Sequence, residues 1–426
     1  MKKYRPLTVI LLILVVSVAI FLVLNVEKTT NSAILTKVKF GMLPYADHSY
    51  AIIGAQQGWF KEIGIDLDYQ TIKVEEIIPL LKNGTLDIVS TPPGILFSSY
   101  ENAPNLCSFV FGDLFQGYAI MAQPSAGYSS YKEFVARGLT PEKALIATIK
   151  QIKGKVFAYP TETAIKPFID LVLEKANMST NDFDPLVLDD PLTVNAMRDK
   201  RADFQVGGVP SRIVLQREGF IPIISAIDVA IQARPSSDSK ELASIMQNGW
   251  ATRKDVFKNN RPTLLRMASV NYRIMKYMNT NMIEALSIHM PYLSKITGQS
   301  FTAKEGEVIY KSLNPFITFE QQKTWFQDTT SPLFYEYVNG SILKSFISQN
   351  IYKVKAPSVN DVIYADDIYN ELDSLRKSSE DYFARIQSKD ALRGNDTLSE
   401  LYRLAKHYYD IYDYYDCDIK VKEIIS

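Results

Sequence analysis

From residue 51 to residue 60 the apolar side chains Ile52, Ile53, Ala55, Trp59 and Phe60 fall at helical spacing. Past Gly64 the pattern changes, and Ile65, Leu67 and Tyr69 alternate with polar residues. A helical period that gives way to a strand period across a glycine predicts a helix feeding a strand. Upstream, Val38-Lys39-Phe40-Gly41-Met42 reads as the preceding strand. Downstream, residues 75–81 read as a helix, and Asn83-Gly84 turns the chain into Asp87-Ile88-Val89, which stops at Pro92-Pro93. The unit is βαβαβ.

The same order recurs further on. Residues 156–159 predict a strand, 164–175 a helix, 184–188 a strand, 194–199 a helix, and "RADFQVGGVP" a closing strand. Leu81 and Asp87 in "LLKNGTLDIVSTPP" are spaced as Met197 and Asp203 in "AMRDKRADFQVGGVP". Alternating strands and helices imply a mostly parallel sheet in each half, and such sheets bind ligands at the carboxyl ends of their strands. Two halves facing each other make a cleft. Between them, Thr140 and Pro141 are placed as N-cap and first residue of an added helix.

The chain ends extend this picture. Residues 7–24 carry no charge and follow Lys2, Lys3 and Arg5, a run long enough to cross most of a hydrocarbon core of about 30 Å. With basic residues on its N-terminal side, the run reads as an uncleaved anchor that leaves the rest of the chain outside the cell; secretion after cleavage is the alternative. Beyond Asp366, apolar positions that include Leu372, Phe383, Ile386, Leu392 and Ala405 mark a helical extension closing on "HYYDIYDYYDCD". Its tyrosines suit docking of an amphipathic face on the globular body, or contact with a partner.

Composition narrows the function classes. Lys plus Arg and Asp plus Glu both number 47, which argues against a nucleic-acid partner. The two cysteines, Cys107 and Cys417, form no metal-binding spacing, and His48, His289 and His407 are isolated in sequence, so neither a metal nor another cofactor is expected.

The segments "KVKFGMLPYADHSYAIIGAQQGWFKEIGIDLDYQ", "LLKNGTLDIVSTPP", "GKVFAYPTETAIKPFIDLVLEKA", "AMRDKRADFQVGGVP" and "NGWATRKDVFKNNRPTLLRM" resemble the extracytoplasmic substrate-binding proteins of ABC importers. The resemblance is greatest to the nitrate, sulfonate, taurine and thiamine-pyrimidine-precursor group, and covers roughly residues 36–366. It implies a two-lobe, hinged α/β fold of the periplasmic-binding-protein type II architecture, with the N-terminal transmembrane anchor and C-terminal helical extension as additions. The corresponding division is 1–35 signal anchor and linker, 36–122 plus 227–366 lobe 1, 123–226 lobe 2, and 367–426 extension, with crossings at 119–123 and 207–226.

By the same resemblance, ligand-binding residues are expected in three places: Tyr45, Asp47 and His48 after the first strand; Ser90 and Thr91 after "DIV"; and Thr161, Glu162 and Thr163 in the second lobe, with Gly208 on a neighbouring strand end. Asp113 joins them as a cleft carboxylate. Helix N-termini there favour anions such as sulfonate or nitrate, but Asp47, Asp113 and Glu162 have no obvious cationic partner. Together with Tyr45, Tyr50, Phe115 and Tyr118 they suit a flat, neutral or weakly basic ring. The expected partners are a small-molecule ligand, an ABC permease and the membrane, with the protein itself a monomer and not an enzyme. Two rival readings are a membrane-tethered ligand sensor or scaffold without transport, and a pyrimidine-synthase-like enzyme; the second is disfavoured because that family group carries a cysteine-rich motif that this chain lacks.

Overall fold

The computed structural model describes residues 35–387 and 396–425. The expected anchor at residues 7–24 and the apolar position Leu392 lie outside them. No helix among the described residues is long and apolar enough to cross a membrane.

Ten strands form two five-stranded sheets. The first sheet contains β1 (Thr36–Met42), β2 (Ile65–Thr71), β3 (Ile88–Thr91), β4 (Leu106–Phe115) and, from much later in the chain, β10 (Met246–Arg253). The second contains β5 (Ala119–Ala122), β6 (Val156–Pro160), β7 (Asp184–Leu188), β8 (Phe204–Val206) and β9 (Ile221–Ser225). Their spatial orders are β2-β1-β3-β10-β4 and β7-β6-β8-β5-β9. The βαβ-linked strands pair in parallel, and β10 and β5 run antiparallel to both of their neighbours.

The repeated aspartate has a physical role. Asp87 donates its backbone N–H to the Lys39 carbonyl at 2.9 Å, while its side chain accepts from the Lys39 N–H at 3.0 Å. Asp203 makes the same two bonds to Val156, at 2.9 and 3.0 Å. Each aspartate therefore satisfies both backbone groups of one residue beside the parallel pairing that follows, and fixes its register.

The lobe boundaries need correction. Residues 119–122, assigned by the sequence to lobe 1, are β5, a strand of the second sheet. The chain crosses at residues 116–118, between β4 and β5, and returns between β9 and β10. β5 is completely buried and β10 is buried up to its last residue, Arg253, so neither shows the alternation that reveals a half-exposed strand. In β10, a Cβ at Gly249 would lie 1.9 Å from the Val110 carbonyl oxygen, at an irregularity in the pairing with β4. Only glycine admits that approach.

Thr140 caps the helix Pro141–Lys150 by accepting the Lys143 N–H. The helices Ala365–Gln387, Asp396–Asp410 and Tyr414–Ile425 form the C-terminal extension and pack on the first lobe. A bidentate Arg266–Asp416 pair, with bonds of 2.8 and 2.6 Å, and tilted ring contacts of Phe319 with Tyr369, Tyr412 and Tyr414 hold it there. Tyrosine thus contributes apolar area to an internal interface. Cys107 and Cys417 are free, buried thiols.

Candidate functional site

The site is built on the loop after β1. Residues 44–50 leave the carboxyl end of the strand and enter the helix Ala51–Gln56, and almost every polar group in the turn is tied down. The Asp47 carboxylate accepts from the Asn248 side-chain amide at 2.7 Å and lies 3.4 Å from His48 Nε2. His48 Nδ1 is 2.9 Å from the Ser90 hydroxyl. Behind them, the Tyr310 hydroxyl lies 2.7 Å from His289 Nδ1, His289 Nε2 lies 2.8 Å from the Ser49 hydroxyl, and Ser49 donates to the Tyr45 carbonyl at 2.8 Å. The Tyr310 hydroxyl also reaches the Ala46 carbonyl at 3.1 Å, so His289 and Tyr310 together tie the loop backbone to the far helix. Burial holds His289 down at about 3, so its imidazole is neutral across the whole neutral range.

The second lobe supplies Glu162 from the loop after β6, and Gly208 with Val209 from the turn after β8. Tyr45, Asp47, His48, Pro92, Phe115, Tyr118, Glu162, Gly208, Val209 and Met246 line one pocket that is partly open to solvent; its water-accessible part is about 20 Å³, within about 280 Å³ of space that includes open solvent. Tyr45, Asp47, His48, Glu162 and Gly208, separated by up to 163 positions in sequence, are thereby brought together.

The other expected site residues lie elsewhere. Ser90 and Thr91 are fully buried behind the cavity, where Ser90 serves as the partner of His48. Asp113 is also fully buried; it pairs across the sheet with Asn248, two residues deeper on the strand than Phe115, which does reach the cavity. Thr163 bonds Ser98 of the first lobe at 2.9 Å and so bridges the lobes beside the cavity. Thr161 is exposed and outside the cavity wall.

The electrostatics are dominated by acids. Burial, followed by the neighbouring Asp190 and Asp47, pushes Glu162 up to about 8. Burial also raises Asp47, against the opposing effects of His48 and Asn248, and lowers His48 despite the carboxylate beside it. Asp113, with neither carboxyl oxygen hydrogen-bonded to the protein, is raised well above the carboxylate range by burial and then by Asp47. Among the described residues no lysine or arginine lines the cavity. Its walls can therefore stack on a ring and accept hydrogen bonds or positive charge, but they offer an anion no cationic partner. The Ser90–His48–Asp47 sequence of contacts orients the imidazole rather than forming a nucleophile, because the Ser90 hydroxyl lies behind the wall. No group of three or more His, Cys, Asp or Glu among the described residues is placed to hold a metal ion.

Sequence reasoning missed Asn248, His289 and Tyr310. Each meets the 45–50 loop from at least 200 positions away, and no local pattern marks them.

Two like-wired sheets enclosing a cleft define the fold of the ligand-binding components of ABC-type import systems. The chain is similar to such a component from Staphylococcus aureus, solved with zinc bound, at 12% identity and a TM-score of 0.56, covering 79% of this chain and 98% of that one. It is similar to the periplasmic aliphatic sulphonate binding protein of Escherichia coli at 11% identity and a TM-score of 0.53, covering 78% and 98%. A Candida albicans protein with the generic periplasmic binding protein fold matches at 12% identity and a TM-score of 0.51, covering 77% and 96%. No curated protein matches the chain. Residues 45–278 match the NMT1/THI5-like family, and the chain belongs to that family.

Proposed function

We propose that this protein is an extracytoplasmic solute-binding protein, tethered through residues 7–24, that closes its lobes on a small heterocycle and delivers it to an ABC permease. The observation that carries this reading is the cavity between the sheets, walled by aromatic rings and by carboxylates from both lobes, with no lining cation among the described residues. A flat ring bearing amino groups, as in a thiamine pyrimidine precursor, meets those walls with stacking and donated hydrogen bonds. A sulfonate or nitrate ion would instead face Asp47 and Glu162.

A thermal-shift panel of 4-amino-5-hydroxymethyl-2-methylpyrimidine, thiamine, taurine, nitrate and bicarbonate tests the reading. A ligand at 100 times its Kd stabilises by about 2.7 kcal/mol. The pyrimidine is expected to raise Tm; a rise with taurine or nitrate alone overturns the assignment of ligand class.

A further inference from the structure

Beside the inner cavity lies an outer one with a water-accessible volume of about 130 Å³, partly open to solvent, and Tyr45 belongs to both walls. Its lining includes Tyr45 and Ile296 from the first lobe, and Asp190, Val194, Pro210 and Val214 from the second. We propose that this outer cavity is a subsite for an organic cation with an apolar body, forming the second half of a ligand whose flat ring occupies the inner cavity. The two-part ligand rests on the function proposed for the inner cavity; the outer subsite itself rests on its own walls.

Three features carry the inference. The lining is mostly aliphatic and proline surface, which disfavours a hydrated ion and suits an apolar body. Its one carboxylate, Asp190, is only 7% exposed and accepts from the Gly208 N–H at 3.2 Å and the Ser211 hydroxyl at 2.5 Å. Two neutral donors orient that carboxylate without supplying a countercharge, and no lysine or arginine among the described residues lines the outer cavity. A cationic head beside Asp190 supplies the missing charge, while its apolar body covers Val194 and Val214. Because both lobes contribute to the lining, an occupant stabilises the closed form. Tyr45 lines both cavities, so a two-part ligand can span them past that ring.

Benzyltrimethylammonium is the probe, titrated into the full chain and followed at the methyl resonances of Val194 and Val214. Saturable shifts are expected at those methyls. Neutral benzyl alcohol should bind at least tenfold more weakly, Asp190→Asn should weaken the cation about tenfold, and Val194→Trp, by filling the space, should abolish its binding; each tenfold step corresponds to about 1.4 kcal/mol. Thr161→Ala, an exposed position outside both cavity walls, should leave the probe within about twofold. Equal affinity for the cation and the alcohol, or undiminished binding in a Val194→Trp protein with native circular dichroism, overturns the subsite. Should Val194→Trp fail to fold, Asp190→Asn with the alcohol comparison still decides. If 4-amino-5-hydroxymethyl-2-methylpyrimidine fails to bind while the cation behaves as expected, the inner-cavity reading falls and the outer subsite stands.

Discussion

In the first sheet the fourth position belongs to β10 and in the second to β5, and in each case it is the strand on which the chain arrives from the other sheet. The two lobes share one wiring, yet their cleft loops are furnished very differently. After β1, Asp47, His48 and Ser49 each hold a side-chain partner within the first lobe. After β6, Thr161 is exposed and Thr163 finds its partner across the cleft in Ser98. The first lobe therefore holds its half of the site through its own contacts, whereas the second holds Thr163 through a contact across the cleft. Preorganisation on one side lowers the ordering cost of binding, and interlobe contacts on the other make closure responsive to what is bound.

The sharpest way to break that arrangement is to keep the lobes apart. A Cβ at Gly208 would sit 3.2 Å from the Tyr45 ring, so Gly208→Leu should prevent closure and weaken ligand binding by more than about 100-fold. Small-angle scattering should show an unchanged radius of gyration on adding ligand, with the ligand-free melting temperature little altered.

Proton linkage gives the next effect. Burial, followed by Asp190 and Asp47, holds Glu162 at about 8 in this structure; opening of the lobes onto water would return it toward the ordinary carboxyl value of about 4.3. Asp47 and Asp190 face it with values raised in the same direction, His48 is lowered, and Tyr45 and Tyr118 are raised by the same acids. The closed form thus holds a proton that the open form releases. Support for closure is full below about pH 4 and is lost as pH rises toward about 8. Scattering on ligand-free protein should show opening between about pH 6 and 9, and Glu162→Gln should flatten that response.

Removing His48 tests the first lobe's half of the site. His48→Ala deletes the bond to Ser90 and leaves that fully buried hydroxyl only its 3.5 Å contact with the Gly249 carbonyl, costing about 1–3 kcal/mol, or roughly 5- to 150-fold in Kd by calorimetry. Thr163→Val removes only the contact with Ser98, so an affinity loss of about fivefold is expected. Thr161→Ala is the matched control in the same loop. With its side chain exposed, it should change stability by less than about 0.5 kcal/mol and leave Kd alone.

Much of this architecture is legible in sequence where the pattern is local. The joint at Gly58 and Gly64, both at positive φ, and the spacing that puts Asp87 and Asp203 in equivalent places both follow from short-range backbone requirements. The central strands β5 and β10 were not legible as such, because burial on both faces erases alternation and their partners are set by topology. The cavity divides in the same way. The loop of Tyr45, Asp47 and His48 can be located from its place after a strand, but the depth of Asp113 and the exposure of Thr161 cannot. Those depend on Asn248, Phe316 and the opposite lobe, which are far along the chain. Isolation of His289 in sequence says nothing of its position in space, where it meets Ser49.

The late arrival of β10 also orders events in time. A chain emerging from its N-terminus completes β5 to β9, all five strands of the second sheet, before β10 exists. Until residue 253 has emerged, β3 and β4 lack the strand that lies between them, and their edges stay unpaired. The second lobe is therefore the first that can fold as a finished unit, and the first lobe is exposed to edge pairing and aggregation for longer. Truncations ending before residue 246 should accumulate a folded second lobe on an unfinished first one, visible as a protease-resistant core spanning about residues 119–225.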